Sequence, residues 1–196
     1  MTKTLAAALA AGLLLAGAAS AQTARSGNYT LDPTHAEIVF SLSHFGYSNY
    51  FGQFPGASGT LTLDGANPAK SQVDVAVPTA TVMTASAKLN DELKSADWLD
   101  SAAFPAMKFH STKIVMTGAT SADVYGDLTL HGVTKPLTLK ATFTRGGVFP
   151  MNQKYMIGFN AVGHLKRSDF GVSKYAQVGL GDDVDLIISA PFVKAS

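Results

Sequence analysis

The densest group of chemically active side chains in this sequence is Lys166-Arg167-Ser168-Asp169-Phe170-Gly171. Arg167 and Asp169 lie two residues apart, so both project to the same face if the chain is extended. The Arg167 guanidinium could hold a phosphate or a carboxylate through paired hydrogen bonds. It could equally anchor its own loop through Asp169 or a backbone carbonyl. We therefore treat Arg167 and Asp169 as candidate residues for binding a polar head group.

The histidines do not form a recognisable metal-binding motif. They are His35, His44, His110, His131 and His164, and the chain has no cysteine. Because a zinc ion would need ligands converging from separate segments, the sequence predicts no metal centre. His44 has the same parity as Phe40 and Leu42, which places it on an inward face near a strand end. There it could orient a ligand head group, or it could simply form a hydrogen bond at the end of its strand.

The sequence lacks the signatures of common hydrolytic and nucleotide-dependent enzymes. It contains no GxSxG nucleophile elbow and no phosphate-binding glycine loop. Asp97 and Asp100 are three residues apart near a helix end, which is ordinary for solvated carboxylates. The sequence therefore predicts a protein without enzymatic activity.

Apolar and polar residues alternate along most of the chain, as they do in strands with one buried and one solvated face. The alternating segments cover residues 38–42, 61–63, 73–77, 107–109, 124–130, 137–143, 157–165 and 184–192. Glycine- and proline-containing turns separate them. The clearest pattern, over residues 126–139, is typical of an antiparallel hairpin. The sequence thus predicts an all-β chain of eight strands.

One segment, residues 85–100, departs from this alternation. Its apolar residues at helical spacing are Leu89, Leu93 and Ala96. Ser86 or Thr84 could cap the start of a helix, and Pro105 lies beyond its end. We expect a short helical insertion here, with Trp98, the single tryptophan, near its end. The insertion could plug one end of a barrel or could pack on the outside of the sheet.

Eight antiparallel strands suggest an extended up-and-down barrel, because closure removes exposed strand edges. A barrel of this size is filled by its own side chains or holds one small ligand. Gly126, Ala141, Ala161 and Gly163 on inward faces could leave room for a ligand, or could relieve crowding in coiled strands.

Candidate lining residues come from the inward strand faces, the predicted helix and an aromatic run over residues 44–54. This run fits no single strand face. It could be a mobile rim that admits a long apolar molecule, or a small hydrophobic core beneath a turn. The residues predicted to line the interior are Phe40, Leu42, Phe51, Phe54, Leu93, Trp98, Phe109, Leu128, Leu130, Phe143, Phe159, Phe170 and Leu186.

The N-terminus predicts export from the cytoplasm. Lys3 precedes an apolar run of 15 residues, which ends at the small residues Ala19-Ser20-Ala21. This pattern is typical of a secretory signal peptide, and the run is shorter than the roughly 20 residues needed to span a bilayer. We expect cleavage near Ala21-Gln22, which leaves a single domain over residues 22–196 in the periplasm or outside the cell.

The mature chain has no net charge. The leader contains Lys3, one of the 15 basic residues, so 14 basic and 14 acidic residues remain. Since the sequence shows no basic block, nucleic acid and anionic membrane surfaces are not expected as partners. Stable membrane insertion of the mature chain is not expected either.

Several motifs together resemble the YceI family of secreted lipocalin-like proteins. The most specific is Gly126-Asp127-Leu128-Thr129-Leu130-His131-Gly132-Val133-Thr134-Lys135-Pro136. The other similar segments are residues 29–35, 38–46, 99–105, 167–171 and 184–186. In one departure, Asn90-Asp91-Glu92-Leu93 stands where the family often has arginine and histidine in the helix.

This resemblance implies an extended eight-stranded, antiparallel, lipocalin-like barrel with a short helical insertion. It implies a non-catalytic periplasmic carrier for a long-chain isoprenoid or a similar amphiphile, such as a quinone, a prenyl phosphate or a fatty-acyl compound. The lipid would be bound non-covalently, no other cofactor is expected, and a homodimer is plausible. The alternatives are a structural or stress-response barrel with a packed interior and a lipid-modifying enzyme that uses His44, or Arg167 with Asp169.

Overall fold

Eleven strands and one α-helix form the part of the chain that the computed structural model describes, residues 24–195. The elements are β1 (Gly27–Leu31), β2 (Glu37–His44), β3 (Ser48–Gln53), β4 (Ser58–Leu63), β5 (Gln72–Pro78), β6 (Met83–Thr84), α1 (Ala87–Lys94), β7 (Ala106–Met116), β8 (Ser121–Leu130), β9 (Val133–Val148), β10 (Tyr155–Lys166) and β11 (Asp183–Lys194). The predicted signal peptide over residues 1–21 and its cleavage point lie outside the described residues.

Eight of these strands form a closed antiparallel ring. They are hydrogen-bonded in the order β1-β4-β5-β7-β8-β9-β10-β11, and β11 pairs back onto β1 through Tyr29 with Lys194, Thr30 with Val193, and Leu31 with Phe192. The predicted fold class, an eight-stranded antiparallel barrel with a short helix, is confirmed. Inward residues of every strand in the ring then face one shared interior.

Part of the barrel wall is built from interrupted strands. Along its length β11 pairs first with β2 and then with β1, so these two short strands occupy a single position in the wall. β3 pairs with β2 and β6, whereas β4 pairs with β1 and β5. The alternating segments of the sequence correspond to β2, β4, β5 and β7–β11. The strands without a predicted counterpart, β1, β3 and β6, are too short or too rich in aromatic residues to show alternation.

The most regular hairpin of the sequence joins β8 to β9. Its turn is formed by His131 and Gly132, which have φ angles of 52° and 75°. Two consecutive residues with positive φ are typical of the type I′ turn, whose twist matches that of the flanking strands. β9 starts directly after the turn at Val133, so Pro136 lies within the strand.

The helical insertion is short, as the sequence predicts. α1 covers Ala87–Lys94, and Ser86 caps it by accepting a hydrogen bond of 3.3 Å from the Leu89 backbone N–H. The remainder, up to Pro105, consists of turns. Within residues 24–195 no helix has the length and apolar character needed to span a bilayer.

Neighbouring side chains fill the space beside two of the inward glycines. A Cβ atom at Gly126 would collide with the Phe109 ring and with the His110 carbonyl oxygen. At Gly163 it would collide with the side chain of Leu139. These glycines therefore allow bulky neighbours to lie across adjacent strands and do not open a cavity. Of the two roles that the sequence left open for them, the structure supports the relief of crowding.

Gly126→Ala is expected to lower the free energy of unfolding by about 1–3 kcal/mol, because the added methyl group must displace both the Phe109 ring and the β7 backbone. Urea denaturation followed by circular dichroism measures the change. In the control variant Gly147→Ala, the nearest atom is the flexible Arg145 Nε at 3.7 Å. Its unfolding free energy should stay within about 0.5 kcal/mol of wild type, and equal stability of the two variants would contradict this packing.

Candidate ligand cavity

A continuous apolar cavity of about 440 Å³ runs along the inside of the barrel. Its wall receives side chains from β1, β2, β4, β5, β7–β11 and α1. Nearly all of these side chains are apolar because the inward parity of each strand carries Leu, Val, Ile, Phe or Ala. The volume lies within the range of roughly 300–1,000 Å³ that is usual for small-molecule sites.

Most of the residues predicted to line the interior lie on this wall. They are Phe40, Leu42, Phe54, Leu93, Trp98, Phe109, Leu128, Leu130, Phe143, Phe159 and Leu186. Strand alternation identified those on strands, and helical spacing identified Leu93. Their contact with a ligand remains a prediction.

Phe51 does not lie on the wall. In β3, Gly52 is buried beneath the Phe40 ring, so alternation turns Phe51 outward, where 55% of its surface is exposed. The prediction that Phe51 lines the interior is wrong. Aromatic residues occupy both parities of residues 44–54, and this concealed which face of the strand is buried.

Phe170 is buried and belongs to the hydrophobic core, but it is not on the cavity wall. It ends a 3-10 turn over Arg167–Phe170, and its carbonyl oxygen lies 3.2 Å from Nδ1 of His131. The Phe170 carbonyl oxygen therefore links this loop to the β8–β9 turn through His131. Its predicted place in the lining is wrong because the chain leaves the regular strand at Lys166 and alternation no longer applies.

Two alanines contribute to the open space in the barrel. Ala141 on β9 and Ala161 on β10 are direct cross-strand partners, and both line the cavity. The prediction that small inward residues leave room therefore holds for this pair. Gly126 and Gly163, by contrast, lie against the side chains of Phe109 and Leu139.

One end of the cavity is closed by the helical insertion and by the loop that follows β10. Leu93, Trp98, Leu99, Arg167 and Val172 form this end of the wall, and all except Leu93 are buried. The insertion thus plugs the barrel, which was one of the two alternatives. Leu99 is not among the helically spaced residues of the 85–100 segment, and Val172 lies outside every periodic segment, so sequence patterns did not identify them as lining residues.

Arg167 holds the closing loop together. The side chain is only 4% exposed, and its guanidinium donates four hydrogen bonds to backbone carbonyl oxygens. Nε bonds to Gly181 at 2.8 Å, Nη1 bonds to Val172 and Lys174 at 2.8 and 2.9 Å, and Nη2 bonds to Leu180 at 3.1 Å. This geometry supports the loop-anchoring alternative. It leaves one of the five guanidinium N–H groups outside these bonds.

The environment of Arg167 is unusual for a cation. Burial lowers the pKa of its guanidinium, and the nearby Asp182 carboxylate opposes that shift. The guanidinium carbon also lies 5.7 Å from the centre of the Trp98 ring, within the range of a cation–π interaction. Because arginine stays protonated in proteins, a positive charge lies at the closed end of an otherwise apolar cavity.

The other two head-group candidates lie away from the cavity. His44 ends β2 on the surface, where its ring contacts Phe45 and Tyr50 at centroid distances of 5.1 and 5.7 Å. The prediction that His44 points inward is wrong, because the strand ends before the barrel encloses it. Asp169 is exposed, and it is Asp182 that accepts the hydrogen bonds of Ser168.

The opposite end of the cavity is its mouth. Met116, Ala119 and Thr120 line the cavity and are also exposed to solvent. They belong to the end of β7 and to the turn before β8. Gly65 and Pro68, in the turn between β4 and β5, line the same end and are half-buried. A ligand could therefore enter here without unfolding the closing loop.

A charged cluster on the outer surface lies apart from the cavity. His164 Nδ1 is 3.0 Å from Asp185 Oδ1, and His164 Nε2 is 3.0 Å from Asp183 Oδ1. The hydrogen bond with Asp185, followed by that with Asp183, raises the pKa of His164. The three side chains are more than half exposed, so their ion pairs add little stability.

Eight antiparallel strands closed around an apolar cavity define a lipocalin-like barrel protein. The chain belongs to the YceI-like family, since the family model described as YceI-like domain matches residues 29–192. The UPF0312 protein of Pseudomonas savastanoi pv. phaseolicola (strain 1448A / Race 6) is 40% identical over 188 residues, which cover 95% of this chain and 96% of that protein. The UPF0312 protein PputW619_0484 of Pseudomonas putida (strain W619) is 40% identical over 190 residues, covering 96% and 97% of the two chains.

Solved structures share the fold. The Campylobacter jejuni YceI protein has a TM-score of 0.68 at 26% identity, covering 79% of this chain and 90% of that one. BcnA of Burkholderia cenocepacia has a TM-score of 0.74 at 21% identity, covering 82% and 98% of the two chains. A polyisoprenoid binding domain from Saccharophagus degradans has a TM-score of 0.63 at 14% identity, covering 85% and 98%. At the identities of the last two, the likeness shows the fold alone.

Arg167→Lys is expected to lower the free energy of unfolding by about 2–4 kcal/mol, because one ammonium group cannot satisfy four buried carbonyl oxygens held by a planar guanidinium. Chemical denaturation measures the loss, and amide hydrogen exchange should show faster opening of residues 172–181. Arg145→Lys, at an exposed position on β9, is the control and should have nearly wild-type stability. Similar stabilities for the two variants would contradict the anchoring role.

Proposed function

We propose that this protein is a non-catalytic periplasmic carrier that holds the apolar chain of an isoprenoid or a similar amphiphile inside its barrel. The observation that carries the proposal is the cavity of about 440 Å³, whose apolar wall is closed near Trp98 and open near Met116. Removing an apolar chain from water contributes about 25 cal/mol per Å² of buried surface. Affinity would therefore come mainly from the chain.

The cavity volume limits how much of the ligand is enclosed. A cavity of about 150 Å³ holds one benzene molecule, so by proportion a cavity of about 440 Å³ holds roughly 18 heavy atoms. That corresponds to three or four isoprene units or to one common fatty-acyl chain. A longer polyisoprenoid would have to extend through the mouth.

The closed end favours a particular kind of head group. Of the three predicted head-group residues, Arg167 lies on the wall, and it has one N–H group beyond its four carbonyl bonds. A single donor suits one acceptor oxygen, such as a quinone or an amide carbonyl. It suits a phosphate less well, because bidentate binding would require Arg167 to give up bonds to its loop.

The relatives and the sequence support this assignment. The Saccharophagus degradans neighbour is described as a polyisoprenoid binding domain, and the predicted signal peptide supports the periplasmic location. The cavity weighs against a structural protein with a packed interior. The exposed positions of His44 and Asp169 give no support to a lipid-modifying enzyme. The homodimer remains a prediction.

Organic extraction of the purified protein followed by mass spectrometry tests the proposal. We expect a co-purified isoprenoid or acyl lipid. We also expect the delipidated protein to take up at least one of decylubiquinone, geranylgeranyl diphosphate and palmitate, with a rise in melting temperature on binding. The absence of any lipid together with failure to bind all three probes would overturn the assignment.

Ala161→Phe is expected to reduce uptake of the bound probe about tenfold or more, because its ring would occupy much of the space beside Ala141. Val162→Phe is the matched control, since the next residue on β10 faces solvent. Fluorescence or calorimetric titration measures binding, and circular dichroism verifies folding. Should Ala161→Phe fail to fold, Ala141→Phe blocks the same space from β9. Unchanged uptake in a folded blocking variant would show that the ligand binds elsewhere.

A further inference from the structure

The absence of net charge conceals a separation of charge along the barrel. The mouth end includes the turns after β4, β7 and β9 and the start of β1. The basic residues at this end are Arg25, Lys70, Lys113, Arg145, Lys154 and Lys194. The described acidic residues at this end are Asp64, Asp74 and Asp123. Asp74 lies against His110, and Asp123 is the cross-strand partner of Lys140. Six basic residues at the mouth end therefore outnumber three acidic ones, and the remainder of the mature chain has the corresponding excess of acidic residues.

An apolar hairpin tip belongs to this basic end. The pairing of β8 with β9 ends at Ser121 with Thr142, so among the described strands residues 143–148 of β9 pair on one side only, with β10. The β9–β10 hairpin thus extends past the β7–β8 turn. Its tip presents Val148, Phe149 and Met151, and Met151 is 83% exposed.

The hairpin tip has a defined conformation. The Phe149 N–H donates to the Lys154 carbonyl at 2.8 Å, and the Gln153 N–H donates to the Phe149 carbonyl at 2.9 Å. The Lys154 N–H donates to Asn152 Oδ1 at 3.0 Å. Hydrogen bonds within the turn therefore fix the backbone that carries three exposed apolar side chains between Arg145 and Lys154. Clustered exposed apolar residues of this kind mark interaction sites.

The opposite end also exposes aromatic residues, but its charge is different. Tyr47, in the β2–β3 turn, is 91% exposed. Residues 87–100 and 166–183 at this end contain seven acidic residues and five basic ones, so its net charge is negative. Lys166 is ion-paired with Asp183, and Lys174 with Glu92 and Asp97. A negatively charged surface would be repelled from this end and attracted to the mouth end. Charge complementarity therefore selects the mouth end for an anionic partner.

We propose that the mouth end docks reversibly on the surface of an anionic phospholipid bilayer. Phe149 and Met151 would enter the boundary between head groups and acyl chains, and the basic side chains would lie near lipid phosphates. This revises the expectation, drawn from composition, that anionic membrane surfaces are not partners, because composition averages the two ends of the barrel. The proposal does not depend on which ligand the cavity holds.

Vesicle co-sedimentation with the mature protein tests the proposal. We expect binding to vesicles of phosphatidylcholine containing phosphatidylglycerol, and about tenfold weaker binding to phosphatidylcholine alone. Raising the salt concentration from about 0.1 to about 1 M should weaken binding, because the Debye length falls from about 10 to about 3 Å.

Since each basic residue near the surface contributes about fivefold, the double variant Arg145→Gln/Lys154→Gln should bind about 25-fold more weakly. Met151→Ser combined with Phe149→Ser should also weaken binding.

Two control variants at the opposite end are matched to these changes. Tyr47→Ser removes an aromatic residue that is more exposed than Phe149 or Met151, and Lys88→Gln removes an exposed charge on α1. Both should bind anionic vesicles like the wild type.

Failure of the wild type to bind anionic vesicles would overturn the proposal, and so would a loss in the Tyr47 variant that equals or exceeds the loss in the hairpin variants. Self-association that depends on Met151, without vesicle binding, would assign the tip to a second copy of the chain instead. Probe uptake delivered from ethanol, without vesicles, is measured in parallel, so that failure of docking is distinguished from failure of ligand binding.

Discussion

The pairing of β11 with β1 is the constraint on which the rest of the structure depends. It joins the last strand to the first through only three residue pairs, and it turns an open sheet into a ring. A closed ring satisfies its backbone hydrogen bonds within the wall, so the interior need not be filled with polar partners. This is why an apolar interior can remain partly empty. Tyr29, with 1% exposure, forms the first of these three pairs and packs near Tyr155 and Lys194.

The two ends of the barrel are built on different principles. At one end, a loop without regular structure is organised by a single guanidinium, whose four carbonyl partners replace a ladder of strand hydrogen bonds. At the other end, tight turns and a projecting hairpin leave the cavity wall accessible. Closure of the ring encloses the cavity. The difference between the two ends means that a ligand can enter the cavity at the mouth end, whereas the other end is closed.

The sequence predicted the barrel well and its ends poorly, for identifiable reasons. Alternation located Phe109, Leu128, Phe143 and Leu186 because regular strands alternate strictly. It gave no guide at Phe51, where aromatic residues fill both parities, and it does not extend to Phe170, which lies beyond the last regular residue of β10. The sequence identified Arg167 as a candidate for binding a head group or for anchoring its loop. Which of these roles it has depends on the positions of residues 172–181. These come close only in the folded chain. The composition likewise gives a net charge of zero for the mature chain, because it contains no information about where the charged residues lie in the barrel.

The plug formed by α1 and Trp98 has a kinetic consequence. A chain-like molecule held in a barrel closed at Trp98 must leave through the opening by which it entered. It therefore cannot pass through the barrel from one end to the other. Each methylene group drawn into water costs about 0.8 kcal/mol, which slows escape about fourfold if the transition state exposes it. Residence time would then grow geometrically with the length of the enclosed segment, up to the length that the cavity accommodates. In a barrel of fixed depth, the dissociation rate of a bound chain would therefore depend on the length of that chain.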